Sequence, residues 1–135
     1  MILTQQYPEF LDWANERLGV NFVASDCRWI TKIDENDDII GVVIFSRFTP
    51  WNCELSTVSS SPRFLTRELL RVTFNYIFNQ VGLRRATSVI ESDNVKALKL
   101  NRGIGFKDEG LLKHWYGDKD GIVLGLLKED CRWIN

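Results

Sequence analysis

Apolar and polar positions alternate along this chain in two distinct rhythms. Between Pro8 and Leu18, the apolar residues Phe10, Leu11, Trp13, Ala14 and Leu18 fall on one helical face, and Gly19 follows as a stop. Cys27–Ile33 alternates weakly and predicts a strand. Asp34-Glu35-Asn36-Asp37-Asp38 is a polar turn cluster, and Ile39–Phe45 is a β-branched apolar run suited to a strand buried on both faces. The two strands therefore predict a hairpin, and a third strand is expected over Asn52–Ser59.

Further along, the period lengthens. Leu65, Leu69, Leu70, Phe74, Ile77 and Phe78 form one stripe of a helix from Leu65 to about Gln80, closed by Gly82. Arg85–Ile90 predicts a strand, and Val95, Ala97, Leu98 and Ile104 a second helix ending near Gly105. Phe106–Tyr116 and Ile122–Leu127 predict strands around the turn Gly117–Gly121. The order is helix, three strands, helix, strand, helix, two strands. A meander followed by β-α-β crossovers is an α+β fold with a mixed sheet.

Composition narrows the class. A chain of 135 residues is one domain's worth, 1–135, able to bury about two-thirds of its unfolded surface. With 44% hydrophobic and 12% aromatic residues it is expected to fold. A net charge of −1 argues against nucleic-acid or anionic-membrane binding driven by overall charge. No apolar run reaches the roughly 20 residues of a membrane span, and the N-terminus carries no signal-peptide pattern. Cys27, Cys53 and Cys131 are widely spaced and His114 stands alone, so neither a zinc site nor a disulfide framework is expected. Reduced, buried thiols in a cytoplasmic protein are the expectation.

The most specific stretch is Asn94-Val95-Lys96-Ala97-Leu98-Lys99-Leu100-Asn101-Arg102-Gly103-Ile104-Gly105-Phe106, followed by Glu109-Gly110. Gly103-x-Gly105 follows a helix and lacks a third glycine, so it is no dinucleotide fingerprint, and no P-loop is present. The stretch resembles the N-x-x-[A/S]-x(7)-G-F…E-G segment of the GNAT acyltransferase superfamily. Phe74…Phe78 and Gly82-Leu83-Arg84-Arg85 fit the same family. The closing Gly125–Asp130 and the tail Glu129-Asp130-Cys131-Arg132-Trp133 resemble the ribosomal-protein N-terminal acetyltransferase branch, in particular its short, often phage-encoded members. The resemblance covers Trp51 to Trp133 closely and the N-terminal third loosely.

It implies a mostly antiparallel sheet with one splayed parallel pair, flanked by helices. It also implies transfer of an acetyl group from acetyl-CoA to an amine of a protein or small-molecule acceptor, with a protein N-terminus or lysine as the expected case, directly and without an acyl-cysteine. Asn94 is then a cofactor-side residue, although Asn is also a favoured helix cap. The third strand, around Leu55, Ser56, Thr57 and Val58, would offer backbone groups to the cofactor.

In the family, a Q/R-x-x-G-x-G/A turn at a helix start binds the pyrophosphate through backbone N–H groups. Here Ser61-Pro62-Arg63-Phe64-Leu65-Thr66 takes that place, with Phe64 and Thr66 standing where glycines are usual and Pro62 lacking an N–H. Arg63 and Arg67, backed by Arg71, Lys96, Lys99 and Arg102, are the candidate compensating cations. The tyrosine many relatives carry seven residues after the motif Asn is Asn101 here, which cannot titrate.

Glu54 and Ser92 become the catalytic candidates, with Glu91 and His114 behind them; Tyr76 and Phe78 are expected in the core. Two rival readings stand beside the transferase: a non-catalytic binding or inhibitor module of the same fold, which the departures at the turn and at Asn101 favour, and a GNAT-like protein acting on a nucleobase. A homodimer through edge strands is open, with Trp133 as the interface candidate.

Overall fold

In the computed structural model, which describes residues 1–134, seven strands form one sheet in the order β1-β2-β3-β4-β5-β7-β6. The strands are β1 (Ile2–Leu3), β2 (Arg28–Ile33), β3 (Ile39–Ser46), β4 (Asn52–Ser59), β5 (Arg85–Glu91), β6 (Lys107–Tyr116) and β7 (Lys119–Leu127). Only β4 and β5 run parallel; every other pairing is antiparallel. This is the mixed GNAT sheet with its single parallel pair.

Three helices cover the sheet: α1 (Pro8–Leu18), α2 (Arg67–Asn75) and α3 (Val95–Ile104). Alternation along the strands sends successive side chains to opposite faces. On one face Val43, Phe45, Cys53, Ala86, Leu124 and Leu126 pack with Leu69, Phe74, Ile77 and Phe78 of the α2 segment and Leu98 of α3. On the other, Trp29, Val42 and Ile44 pack against Leu11 and Ala14 of α1. Cys27, Cys53 and Cys131 are buried and free.

The expected elements form with shifted ends. The long helix begins at Arg67, not Leu65, because Thr66 is its N-cap: its hydroxyl accepts the Leu69 N–H at 3.2 Å. Such a cap is worth about 1 kcal/mol. Its last turn, Tyr76–Gln80, widens to π geometry. The β6–β7 turn is shorter than the five residues expected, since Tyr116 already pairs with Lys119. The two-residue β1 was not predicted; it is too short to leave a pattern and is held against Thr31 and Lys32 of β2. The Trp133 indole N–H donates to the Ile104 carbonyl at 2.9 Å, and its ring packs on the main core.

Phe64 ties the loop before α2 to the sheet. It is 3% exposed, and its ring lies where a side chain at Gly41 of β3 would project. Gly41→Ala therefore forces the ring out of place, and overpacking of this kind costs about 1–3 kcal/mol. The urea midpoint of Gly41→Ala is expected to fall accordingly with the slope unchanged.

Candidate functional site

The parallel ladder between β4 and β5 lasts three pairs, Asn52↔Arg85 to Glu54↔Thr87, and then the strands part. Register fixes what faces the gap. The Ser60 N–H donates to the Ile40 carbonyl at 3.0 Å, continuing the β3–β4 register in which Ser56 faces Ile44 and Val58 faces Val42. Directly opposed residues alternate between bonded and non-bonded pairs. Glu54, Ser56 and Val58 therefore spend their backbone groups on β3, whereas Leu55, Thr57 and Ser59 turn theirs toward β5.

The same parity holds on the other side. Ser92 N–H donates to the Asp120 carbonyl at 2.9 Å and Lys128 N–H to the Arg84 carbonyl at 3.0 Å. Even-numbered residues of β5 thus bond β7, and Val89 and Glu91 turn their N–H groups to the gap, while the Val89 carbonyl accepts the Tyr116 hydroxyl at 2.9 Å and the Glu91 carbonyl the Asn94 N–H at 3.0 Å. The expected backbone stretch Leu55, Ser56, Thr57 and Val58 is corrected to alternate members: Ser56 and Val58 are committed to the β3 ladder.

A cleft of about 1100 Å³ runs through the gap. Leu69, Phe74, Leu100 and Ile104 line it on the α2–α3 side, and Leu18, Val20, Phe22 and Tyr116 on the other. It continues past Ser59, Ser61, Pro62, Phe64 and Leu65 toward the start of α2. Another concavity, about 830 Å³, opens near Trp51, Arg84 and Glu129, and no predicted site residue lines it.

The predicted residues sort as follows. Asn94 lines the cleft, and its side chain caps α3 by accepting the Ala97 N–H at 3.1 Å, so the cap reading holds for its oxygen. Asn101 also lines the cleft, with its amide donating to the Ala97 carbonyl at 2.8 Å. Phe64 and Leu65 form cleft wall, but Phe64 is turned inward onto Gly41. Thr66 caps α2.

Arg63 and Arg67 are exposed and not part of the cleft wall; Arg63 lies 3.7 Å from Glu35 instead, drawn to the acidic β2–β3 turn. Of the other cations, Lys96 borders the cleft and Arg102 is paired with Asp108 at 2.7 Å. Ser92 is exposed beyond the end of β5 with its N–H tied to β7, away from the gap. Glu54 is half-buried and paired with Arg47 at 2.8 Å. Glu91 borders the cleft, 3.6 Å from Lys119. His114 sits at the β6–β7 turn, its Nδ1 2.8 Å from the Gly117 carbonyl.

Two residues escaped the sequence reading. Lys32 of β2 donates to the carbonyls of Arg63 at 2.8 Å and Phe64 at 3.1 Å, placing an ammonium beside the turn that opens α2. No local spacing marks it, because it comes from a strand more than thirty positions earlier. Tyr116 reaches the cleft from β6, a strand not adjacent to β5, and only the order β5-β7-β6 reveals that.

The residues suit an acyl-CoA. The unpaired strand edges in the gap match the amides of an extended pantetheine arm. The N–H groups of Arg67 and Glu68 have no intrahelical acceptor, and Lys32 stands beside the turn before them, which the cleft reaches at Ser61, Pro62, Phe64 and Leu65.

A splayed parallel pair within this strand order, opened by a cleft that leads to a helix start, defines the class of acetyl-CoA-dependent N-acyltransferases. A family model described as the acetyltransferase (GNAT) domain matches residues 4–107, and the chain belongs to that family. None of the curated proteins compared matches it.

Among solved structures, it is similar to a mutant form of the spermidine/spermine N-acetyltransferase SpeG from Vibrio cholerae, with 19% identity and a TM-score of 0.69 over 90% of this chain and 76% of that one. A structure of the Vibrio cholerae spermidine N-acetyltransferase in complex with CoA and spermine gives 18% identity and a TM-score of 0.68, covering 89% and 75%. The dodecameric form of that enzyme in an intermediate state gives 19% and 0.69, covering 90% and 74%. These likenesses concern the fold.

Cys53 lies in the paired part of β4, in the main core, with burial foremost and the Glu54 carboxylate next pushing its thiol from 9.0 up to about 12. The native thiol therefore contributes stability that is intact below the unfolded value and lost as pH rises from about 9 toward 12. At pH 9, iodoacetamide is expected to spare Cys53 in the folded protein and modify it in urea, read by peptide mass spectrometry.

Proposed function

We propose that residues 1–135 act as one GNAT domain that moves the acetyl group of acetyl-CoA onto a primary amine by direct transfer. The observation that carries this reading is the open β4–β5 edge, where Leu55, Thr57 and Ser59 face Val89 across a cleft leading to the start of α2. Acetyl-CoA supplies the thioester, whose carbonyl the N–H of Thr57, the first β4 donor beyond the ladder, would polarise. Lys32 and the first N–H groups of α2 would hold its phosphates, a role taken over from Arg63 and Arg67. Asn94 and Asn101 would line the pantetheine path from the α3 side.

The acceptor is read as an amine on a cationic molecule. It would enter from the α1 side, past Leu18, Val20 and Phe22, toward the carboxylates of Glu54 and Glu91. Both lie close enough to Tyr116 to act on its ionisation, which supports a negative field at that end of the cleft. Glu54 is our candidate to take the proton of the incoming ammonium. A protein N-terminus or lysine fits this chemistry. The spermine bound by the similar Vibrio cholerae enzyme supports a polyamine as well. The Glu129–Trp133 tail supports a place in the short ribosomal-protein N-terminal acetyltransferase branch, and the three buried free thiols support a reducing, cytoplasmic setting. The inward-turned Phe64 favours one rival, a binding module that has lost the phosphate turn.

Acetyl-CoA at a hundredfold excess over its dissociation constant is expected to raise unfolding stability by about 2.7 kcal/mol, measured by thermal denaturation. No shift at millimolar acetyl-CoA would favour the non-catalytic module. Mass spectrometry of spermidine, a lysine peptide and a free N-terminal peptide incubated with enzyme and acetyl-CoA then identifies which amine gains the acetyl group.

A further inference from the structure

The hydroxyl of Tyr116 stands in the β4–β5 gap. It donates to the Val89 carbonyl at 2.9 Å, and Val89 is the first β5 residue beyond the three-pair ladder whose backbone groups face β4 rather than β7. Its presence there is built by three features of the hairpin. The β6 register shifts between Leu112 and Tyr116, where His114 takes a left-handed φ of 55°. Gly121 of β7 leaves the room this needs: a Cβ there would lie 2.9 Å from Val89 Cγ1 and 3.1 Å from Trp115 Cβ, so Trp115 can cross β7 and carry the next residue to β5. Lys119 then fastens the turn to the end of β5, 3.0 Å from Asp93 and 3.6 Å from Glu91. The phenol, 40% exposed, thus reaches across β7 to line the cleft with its hydroxyl on β5.

We propose that Tyr116 is the general acid of the transfer, standing in from the β6–β7 hairpin for the hydroxyl that Asn101 cannot supply. The inference rests on the transferase reading above. The amine lone pair forms the new N–C bond at the thioester carbonyl carbon. As the C–S bond breaks, the sulfur takes its electron pair and the phenolic proton of Tyr116. The proton shed by the nitrogen restores the phenol, so amine and acetyl thioester become amide and free thiol with nothing left over. The phenol is suited to hold its proton until that moment. Burial first, then the carboxylates of Glu91 on β5 and Glu54 on β4, push its pKa above the ordinary 10.0.

Tyr116→Phe removes only the hydroxyl. With the amine found above, its kcat is expected to fall about 100-fold to 10 000-fold, while KM for acetyl-CoA stays within about threefold. A second readout needs no turnover: free CoA is titrated in complex with each protein, following thiolate absorbance. A phenol donating to the sulfur stabilises the thiolate, so thiol ionisation is expected at higher pH in Tyr116→Phe than in the wild type.

Activity within threefold of wild type overturns the proposal. So does a fall in kcat with an unmoved thiolate titration, which marks a structural role. If Tyr116→Phe does not fold, Lys119→Met is read by the same two measurements, because it frees the hairpin but keeps the phenol. Lys119 is a positioning residue, so a smaller fall in kcat with the thiolate shifted upward supports the assignment, and neither change overturns it. A wild-type chain that binds acetyl-CoA but acetylates no amine fails the transferase reading itself, and Tyr116 with it. Wild-type turnover thus separates the two failures.

Discussion

Backbone amides and carbonyls cannot be left without partners inside a protein, and this fold is arranged around a place where the sheet stops supplying them. β4 and β5 share three residue pairs and then diverge. Beyond Glu54 and Thr87, each strand keeps one satisfied edge, against β3 or β7, and turns the other to open space. The rest of the molecule sustains that opening. The β3–β4 and β5–β7 ladders hold the strands from outside. The α2 and α3 helices roof one side with the Leu69–Phe78 and Leu98 packing. On the other side α1 covers only the β2–β4 portion, leaving a way in. A linear molecule rich in amides is the natural complement of two unpaired strand edges, just as an added strand would be.

The remainder of the site follows from what surrounds the opening. At one end are a helix start and the Lys32 ammonium, at the other the Glu54 and Glu91 carboxylates. On the proposed reading, positive charge at the phosphate end and negative charge at the amine end would orient the two substrates. The near-neutral total charge of the chain conceals this separation.

Much of the architecture was readable from the sequence. The Leu65–Phe78 stripe, the β-branched Ile39–Phe45 run and the glycines after each helix signal their elements directly, because local periodicity reflects a buried face. Asn94 and Asn101 both line the cleft from the α3 side, because the motif spacing is itself a helical spacing. What escaped depends on strand order and register. Whether Ser56 or Thr57 offers its N–H to the gap is decided by which one hydrogen-bonds to β3, and a linear reading cannot assign that parity. Arg63 looked placed for phosphate because it stands near a helix start, but the acidic Asp34–Asp38 turn lies alongside and its Glu35 is near enough to draw the side chain away. Lys32 and Tyr116 come from elements remote in sequence, so no spacing rule could bring them in.

The loss of glycine before α2 has a consequence beyond close approach to phosphate. A glycine-rich phosphate turn is free to sample many shapes and must be stilled by its ligand. Here the segment is nailed down by the Phe64 ring beneath β3 and by Lys32 across its carbonyls. Its ordering entropy is spent when the chain folds, not when a nucleotide arrives. The segment is a rigid socket and not an adaptable clasp, so a ligand taken there would meet a shape already present and need little rearrangement.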